Sequence, residues 1–311
     1  MIRFIMPENT HDAFQKAEVI LSQLEDFIHS KALQDLLKIL DIDIDAIERT
    51  YNGRTRSDKS IVELQELRPS ASLNEKREAL YPLFRELGFI DINKPLNNRH
   101  SRVIVLGGSL NACNERTEYA KMWIDETTGY VDGLACYRPI GTAERAKASF
   151  CLCDTEFGAM SESFVRVFDL DRQGFTEEFK SDRNLNAISC IRDLGRSDNR
   201  KYRIFAAPSS DPHQRRADTA DTLSFYYEHE KQMDADDCLL FITNNRHCNR
   251  QFLQLAYSMI KGDYPGTIDV IGCYPDDRVT SVDEYDPFQY LQDLIGIMDW
   301  MNRFKELLSE R

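Results

Sequence analysis

Through roughly the first hundred positions, apolar residues recur three and four apart. Phe14, Ala17, Leu21, Leu24 and Ile28 form one such stripe, the signature of an amphipathic helix. Asn9 or Thr10 is placed to cap it. Leu33, Leu36, Leu37 and Leu40 resume the pattern after a break near Ser30. The polar stretch from Tyr51 to Lys59 reads as a loop. Ser72-Leu-Asn-Glu75 has the spacing of a capping box. It is expected to open a helix carrying Leu80, Leu83, Phe84 and Leu87, stopped by Gly88. The polar run from Pro95 to His100 links to the next part.

From residue 101 the period changes. Val103-Ile-Val-Leu106 is a short continuous apolar run, as suits a strand buried on both faces. Val131 to Cys136, Tyr202 to Ala207, Cys238 to Thr243 and Ile268 to Gly272 read the same way. Helical patterns lie between and after them, at 115–125, 155–170, 217–230, 247–260 and 287–308. Strand and helix alternate, and parallel strands need such crossovers. The expected fold is therefore α/β, a doubly wound and mostly parallel sheet with an N-terminal helical region. Residues 1–98 are expected to form that region, and 99–311 the α/β domain with its terminal helix.

Ligands of such sheets bind beyond the carboxyl ends of the strands, so four loops carry the candidate chemistry. The first is Gly107-Gly108-Ser109, followed by a helix whose free N–H groups suit an anion. It has neither the G-x-G-x-x-G spacing nor a Walker A lysine. The second carries Arg138, able to grip a phosphate or carboxylate or to pair with Glu144, and leads to Glu156 at a helix start. The third, 208–222, collects Arg216, Thr219 and Asp221, with Asp218 as a candidate cap. The fourth carries Asn244 and His247, a side chain that titrates near neutrality.

As an ordered set these loops resemble the DUF218 superfamily of YdcF/SanA-like α/β proteins over about residues 101–275. The matching positions are Val105-Leu-Gly107-Gly108 with Arg116, then Thr155-Glu156. Arg216-Ala-Asp218-Thr219-Ala-Asp221-Thr222 and Thr243-Asn-Asn-Arg-His247-Cys-Asn-Arg250 follow. The second strand departs from the family pattern, ending in Cys-Tyr-Arg-Pro. So does a long insertion at about 168–199. The resemblance implies a Rossmann-like fold and a nucleotide or S-adenosylmethionine type of ligand. In that reading Gly107, Gly108 and Ser109 cradle an anionic group, and Arg116, Arg138 and Arg216 pair with its charge. Asn244 and Thr219 orient the ligand, with Asp221 joining this set. Glu156 and His247 are the acid/base candidates of a hydrolase or transferase.

Charge and cysteine content narrow the choice. Among 311 residues, acids exceed bases 52 to 39, a net charge of −13, which excludes a broad nucleic-acid face. No apolar run approaches the ~20 residues of a membrane helix. The 8 cysteines and the lack of a secretory apolar segment at Met1–Met6 point to reduced thiols in the cytoplasm. Two further readings remain at this stage. One is a non-catalytic module whose N-terminal helices bind a protein partner. The other is a Cys–His hydrolase using Cys113 or Cys136 with His247 or His213. Cys151-x-Cys153 lacks the further ligands a zinc site needs.

Overall fold

The N-terminal stripe forms two helices, α1 (Ala13–Ile28) and α2 (Lys31–Leu40). The structure, a computed structural model, describes residues 1–7, 12–44, 46–47, 71–146, 151, 153–230, 233–273 and 286–310. The expected cap at Asn9 or Thr10 and the expected loop at 51–59 lie outside the described residues. Asp12 caps α1, accepting from the Gln15 amide at 2.8 Å. Ser30, at the predicted break, caps α2.

The chain forms two compact units. The first comprises residues 1–91, 245–253 and 277–311, the second 92–244 and 254–276. The terminal helix α10 (Pro287–Ser309), expected with the α/β part, belongs to the first unit, where it packs on α1. In that unit Ala17, Ile20, Leu24 and Phe27 of α1 are buried. Of the stripe read from the sequence, Ala17 and Leu24 are buried, while Phe14, Leu21 and Ile28 are half-buried. The expected capping box at 72–75 falls within the short helix α3 (Ala71–Glu75), which ends before the helix that carries Leu80 and Phe84. The helix with Leu80 and Phe84, α4 (Arg77–Glu86), starts without a side-chain cap. Its end is as expected: Gly88 takes φ +84°, Gly88 N–H donates to Arg85 O and Phe89 N–H to Phe84 O. That is the Schellman arrangement. Phe84 stacks on Tyr290 of α10 at 4.8 Å between ring centres.

The second unit is built on a sheet of seven strands: β1 (Arg102–Leu106), β2 (Tyr130–Ala135), β3 (Thr176–Lys180), β4 (Ser189–Ser197), β5 (Arg200–Ala206), β6 (Cys238–Asn244) and β7 (Thr267–Cys273). Their order is β3-β4-β5-β2-β1-β6-β7. The pairs from β5 to β7 are parallel, as the alternation predicts. Strands β3 and β4 are antiparallel and lie in the insertion that the sequence reading left without strands. The reason is visible in their residues: β3 is exposed at every position and β4 mixes charge with apolar groups. Neither presents an apolar run.

Helices cover both faces. Neighbouring strand residues point to opposite sides. Gly133 lies against Met160 of α7 (Glu156–Phe168), while Asp132 accepts from Tyr226 of α8 (Thr219–His229). The fold is accordingly α/β with a mostly parallel sheet flanked by helices. Helix α5 (Leu110–Lys121) starts five residues before the predicted position because Ser109 caps it, accepting from the Ala112 amide. The short α6 (Thr142–Ala146) follows β2, and α9 (Cys248–Gly262) contributes its first residues to one unit and the rest to the other. No helix among the described residues is long and apolar enough to cross a membrane.

Candidate functional site

The strand order reverses between β1 and β6, and open α/β sheets present their crevice at such a point. The residues at those two carboxyl ends are Leu106, Gly107 and Asn244. Arg116, on α5, is buried against them. Its Nη1 donates to Leu106 O at 2.8 Å and to Gly107 O at 2.5 Å. Its Nε donates to Asn244 Oδ1 at 2.9 Å, and Nη2 donates to the same oxygen. All these acceptors are neutral. Among the described residues, no carboxylate pairs with Arg116.

Arg138 is placed differently. All five N–H donors of a guanidinium are engaged within the protein: Nε to Glu156 Oε2 at 3.0 Å, Nη1 to Glu144 Oε2 at 2.8 Å and Pro139 O at 3.3 Å, Nη2 to Glu144 Oε1 at 3.0 Å and Gly108 O at 2.7 Å. The arginine expected to hold a ligand anion holds two buried carboxylates instead. Glu144 also accepts from the Leu110 amide at 2.7 Å, so a protein carboxylate occupies that N–H at the start of α5. Burial works against the Glu144 charge, yet Arg138 and these amides hold its carboxyl below the usual value.

Gly107 is glycine for lack of space. A Cβ there would sit 2.2 Å from Glu156 Oε1 and 2.9 Å from Leu134 O. Ser109 serves as the cap of α5. Glu156 opens α7 behind its cap Thr155 and faces Arg138. The sequence reading therefore brings Gly107, Gly108, Ser109, Arg116, Arg138, Glu156 and Asn244 together within one unit.

The third loop belongs to the same unit. Asp218 and Asp221 form a reciprocal capping box at the start of α8. Asp221 also takes Arg215 at 2.5 Å and the Ser210 amide at 3.2 Å. Burial opposes its charge, and Arg215 and the Asp218 amide hold its carboxyl below the ordinary value. Asp221 organises the loop, and Arg215, not Arg216, is its partner. Thr219 is the first residue of α8, and its carbonyl accepts from Thr222 at 2.9 Å. Arg216 is exposed, without an ion-pair partner among the described residues, and its charge acts on the Cys136 thiol. Asn184 and Asn186, from the insertion, donate to Pro212 O at 2.7 and 3.1 Å and hold the loop from beneath. Their role was hidden because the insertion shows no periodic pattern.

His247 belongs to the first unit. Its Nδ1 lies 2.7 Å from Asp293 Oδ1. Arg250 Nε reaches the same oxygen at 2.7 Å, and Arg246 Nε lies 3.8 Å from the other. The carboxylate is held ionised by two guanidinia, so we assign the proton to Nδ1, which leaves Nε2 as the basic nitrogen. Burial, then the neighbouring arginines against the pull of Asp293, keeps the imidazole neutral well below its ordinary value. Asp293 sits in the long terminal helix, where no local spacing links it to His247. Glu156 and His247 fall in different units.

A second cluster of charge went unread in the sequence. Arg203 forks onto Asp132 with two bonds of 2.8 Å, and Tyr226 donates to Asp132 at 2.7 Å. Arg102 and Arg203 both approach Glu230, and Arg102 lies 4.1 Å over the Tyr130 ring. Arg102 Nε also lies 3.9 Å from Asp237 Oδ2, so each arginine here has carboxylate partners. The available signal was a charged residue inside three apolar runs, at Arg102, Asp132 and Arg203.

The two cysteines of the hydrolase reading sit in surroundings that disfavour a thiolate. Cys113 and Cys136 are buried, and burial followed by the nearby Glu156 charge pushes each thiol up to about 12. Among the described residues there is no cluster of His, Cys, Asp and Glu fit to hold a metal ion. Comparison with protein-family models, with curated proteins and with solved structures finds no match for this chain.

Proposed function

We propose that the second unit binds a small ligand through an anionic group, the phosphate of a nucleotide or sugar phosphate or the carboxylate of an S-adenosylmethionine type of molecule, at the carboxyl ends of β1, β2 and β6. The observation that carries this reading is Arg116: a buried guanidinium at the strand-order reversal with only neutral oxygens against it. A buried cation without a counter-charge is costly, and an anion at that place relieves the cost. Arg216, exposed and unpaired among the described residues, supplies a second positive charge near Cys136 at the end of β2. Arg138 contributes by fixing Glu144, Glu156 and the Gly108 carbonyl, not by touching the ligand.

A thermal-shift screen with adenosine monophosphate, glucose 6-phosphate and S-adenosylmethionine tests it. At least one probe should raise the melting temperature, and Arg216→Ala should weaken that binding about tenfold, the loss of one charged hydrogen bond. A folded Arg216→Ala protein with unchanged affinity, or silence from every probe, would sink the reading.

The His247–Asp293 pair favours a second reading, in which the chain is a hydrolase or transferase with His247 Nε2 as general base. His247→Gln should then abolish turnover of chromogenic phosphate or carboxylate esters while the protein stays folded. Full turnover in that variant excludes the role.

A further inference from the structure

The approach to α7 carries a feature that the binding reading leaves unused. Five of the eight cysteines are buried; Cys151, Cys153 and Cys238 are partly exposed. Cys153 Sγ lies 2.9 Å from Cys151 Sγ and donates to it. An S–S bond is about 2.05 Å, so roughly 0.9 Å of movement separates the two thiols from a bridge. The segment is anchored on its far side. Ile140 N–H donates to Asp154 O at 2.9 Å, Glu156 N–H to Arg138 O at 2.9 Å, and Arg145 Nη2 to Asp154 Oδ1 at 2.7 Å. Cys153 also packs beside Gly158, in the first turn of α7. These contacts fix the Cys153 side of the pair, and both cysteines pack against the core of the unit.

We infer that Cys151 and Cys153 form a redox-active dithiol that is oxidised to an intramolecular disulfide by small-molecule disulfides of the glutathione class. The exchange proceeds in two displacements. The Cys151 thiolate attacks one sulfur of the small disulfide, and a thiolate leaves. Cys153 then gives up its proton and attacks Cys151 Sγ, expelling the second thiolate. The protein loses two protons and two electrons, and the small disulfide becomes two thiols.

Burial and the contact between the two thiols set the roles. Burial, reinforced by that contact, pushes the Cys153 thiol up to about 12, so it is the slower thiol to ionise and suits the resolving role.

The test treats the full chain with oxidised glutathione, alkylates remaining thiols under denaturing conditions, and maps peptides by mass. The peptide holding both cysteines should escape alkylation at both and weigh about 2 Da less than its dithiol form. Cys153→Ser should trap a glutathione adduct on Cys151, and Cys151→Ser should leave Cys153 unmodified. The inference is overturned if both thiols stay alkylatable while Cys238 reacts, or if Cys153→Ser acquires no adduct on Cys151.

Discussion

At Arg138 a single side chain decides how a whole loop is charged. Its five donors satisfy two buried carboxylates and two carbonyls, so its loss leaves Glu144 and Glu156 uncompensated. Breaking such a pair typically costs about 3–5 kcal/mol. Arg138→Met should therefore lower stability by that order in urea denaturation, and a loss under 1 kcal/mol (roughly the worth of an exposed pair) would show that the triad is not buried as described. Gly107 is bound to the same triad from the other side, since a methyl group there would meet Glu156 at 2.2 Å. Gly107→Ala should cost about 1–3 kcal/mol through overpacking. The sign of the pH dependence follows from the depressed carboxyls. The folded state holds Glu144 and Asp221 below their ordinary values of 4.5 and 3.8. Their stabilisation is complete above those values and is lost as pH falls through the depressed ones. His247 works in the same direction, because a neutral buried imidazole favours folding above its ordinary 6.5 and opposes it as the solution turns acid. Urea midpoints should rise between pH 3 and 7, and His247→Gln should flatten the part near pH 5–6.5 if the imidazole is held neutral.

At the scale of elements, legibility tracked burial. Strands β1, β2, β5, β6 and β7 are buried almost throughout, so each appears in the sequence as an apolar run. Strands β3 and β4 form the antiparallel margin, where Thr-Glu-Glu-Phe-Lys at β3 carries no period that separates strand from loop. The cap at Asp218 was readable as a short polar residue ahead of a helical pattern, whereas the one at Ser109 was missed with the first turn of α5. Ser72 had the right spacing but lies inside α3, which already begins at Ala71, because spacing alone does not fix where a helix begins. For the candidate site, strand ends led to residues that lie in one unit, while most of their partners stayed hidden. Nothing in sequence separates an arginine that meets a ligand from one that meets Glu144 and Glu156, since that depends on contacts across the fold. The Arg203–Asp132 fork gives an element-level prediction. Asp132→Asn removes one charge from a buried pair held by two 2.8 Å bonds. It should destabilise the sheet by about 3–5 kcal/mol, visible as a lower urea midpoint, and an unchanged midpoint would contradict a buried network between β2, β5 and α8.

For the whole molecule, the acidic total of −13 and the placement of a few arginines are separate facts. The net charge keeps polyanions from the outer surface. Arg116 lies where the order of the parallel strands reverses, between β1 and β6, without a carboxylate partner among the described residues. Two-unit organisation gives this claim a clean control, because Glu156 with its partners and His247 with its own belong to different units and can be varied separately. The most direct test is nuclear magnetic resonance of the chain during titration with the anionic probe that gives the largest thermal shift. The backbone amides of Gly107 and Gly108 and the Nε–H of Arg116 should shift together and saturate at one affinity, which Arg216→Ala weakens. Saturable binding that leaves those three resonances unmoved would contradict the account.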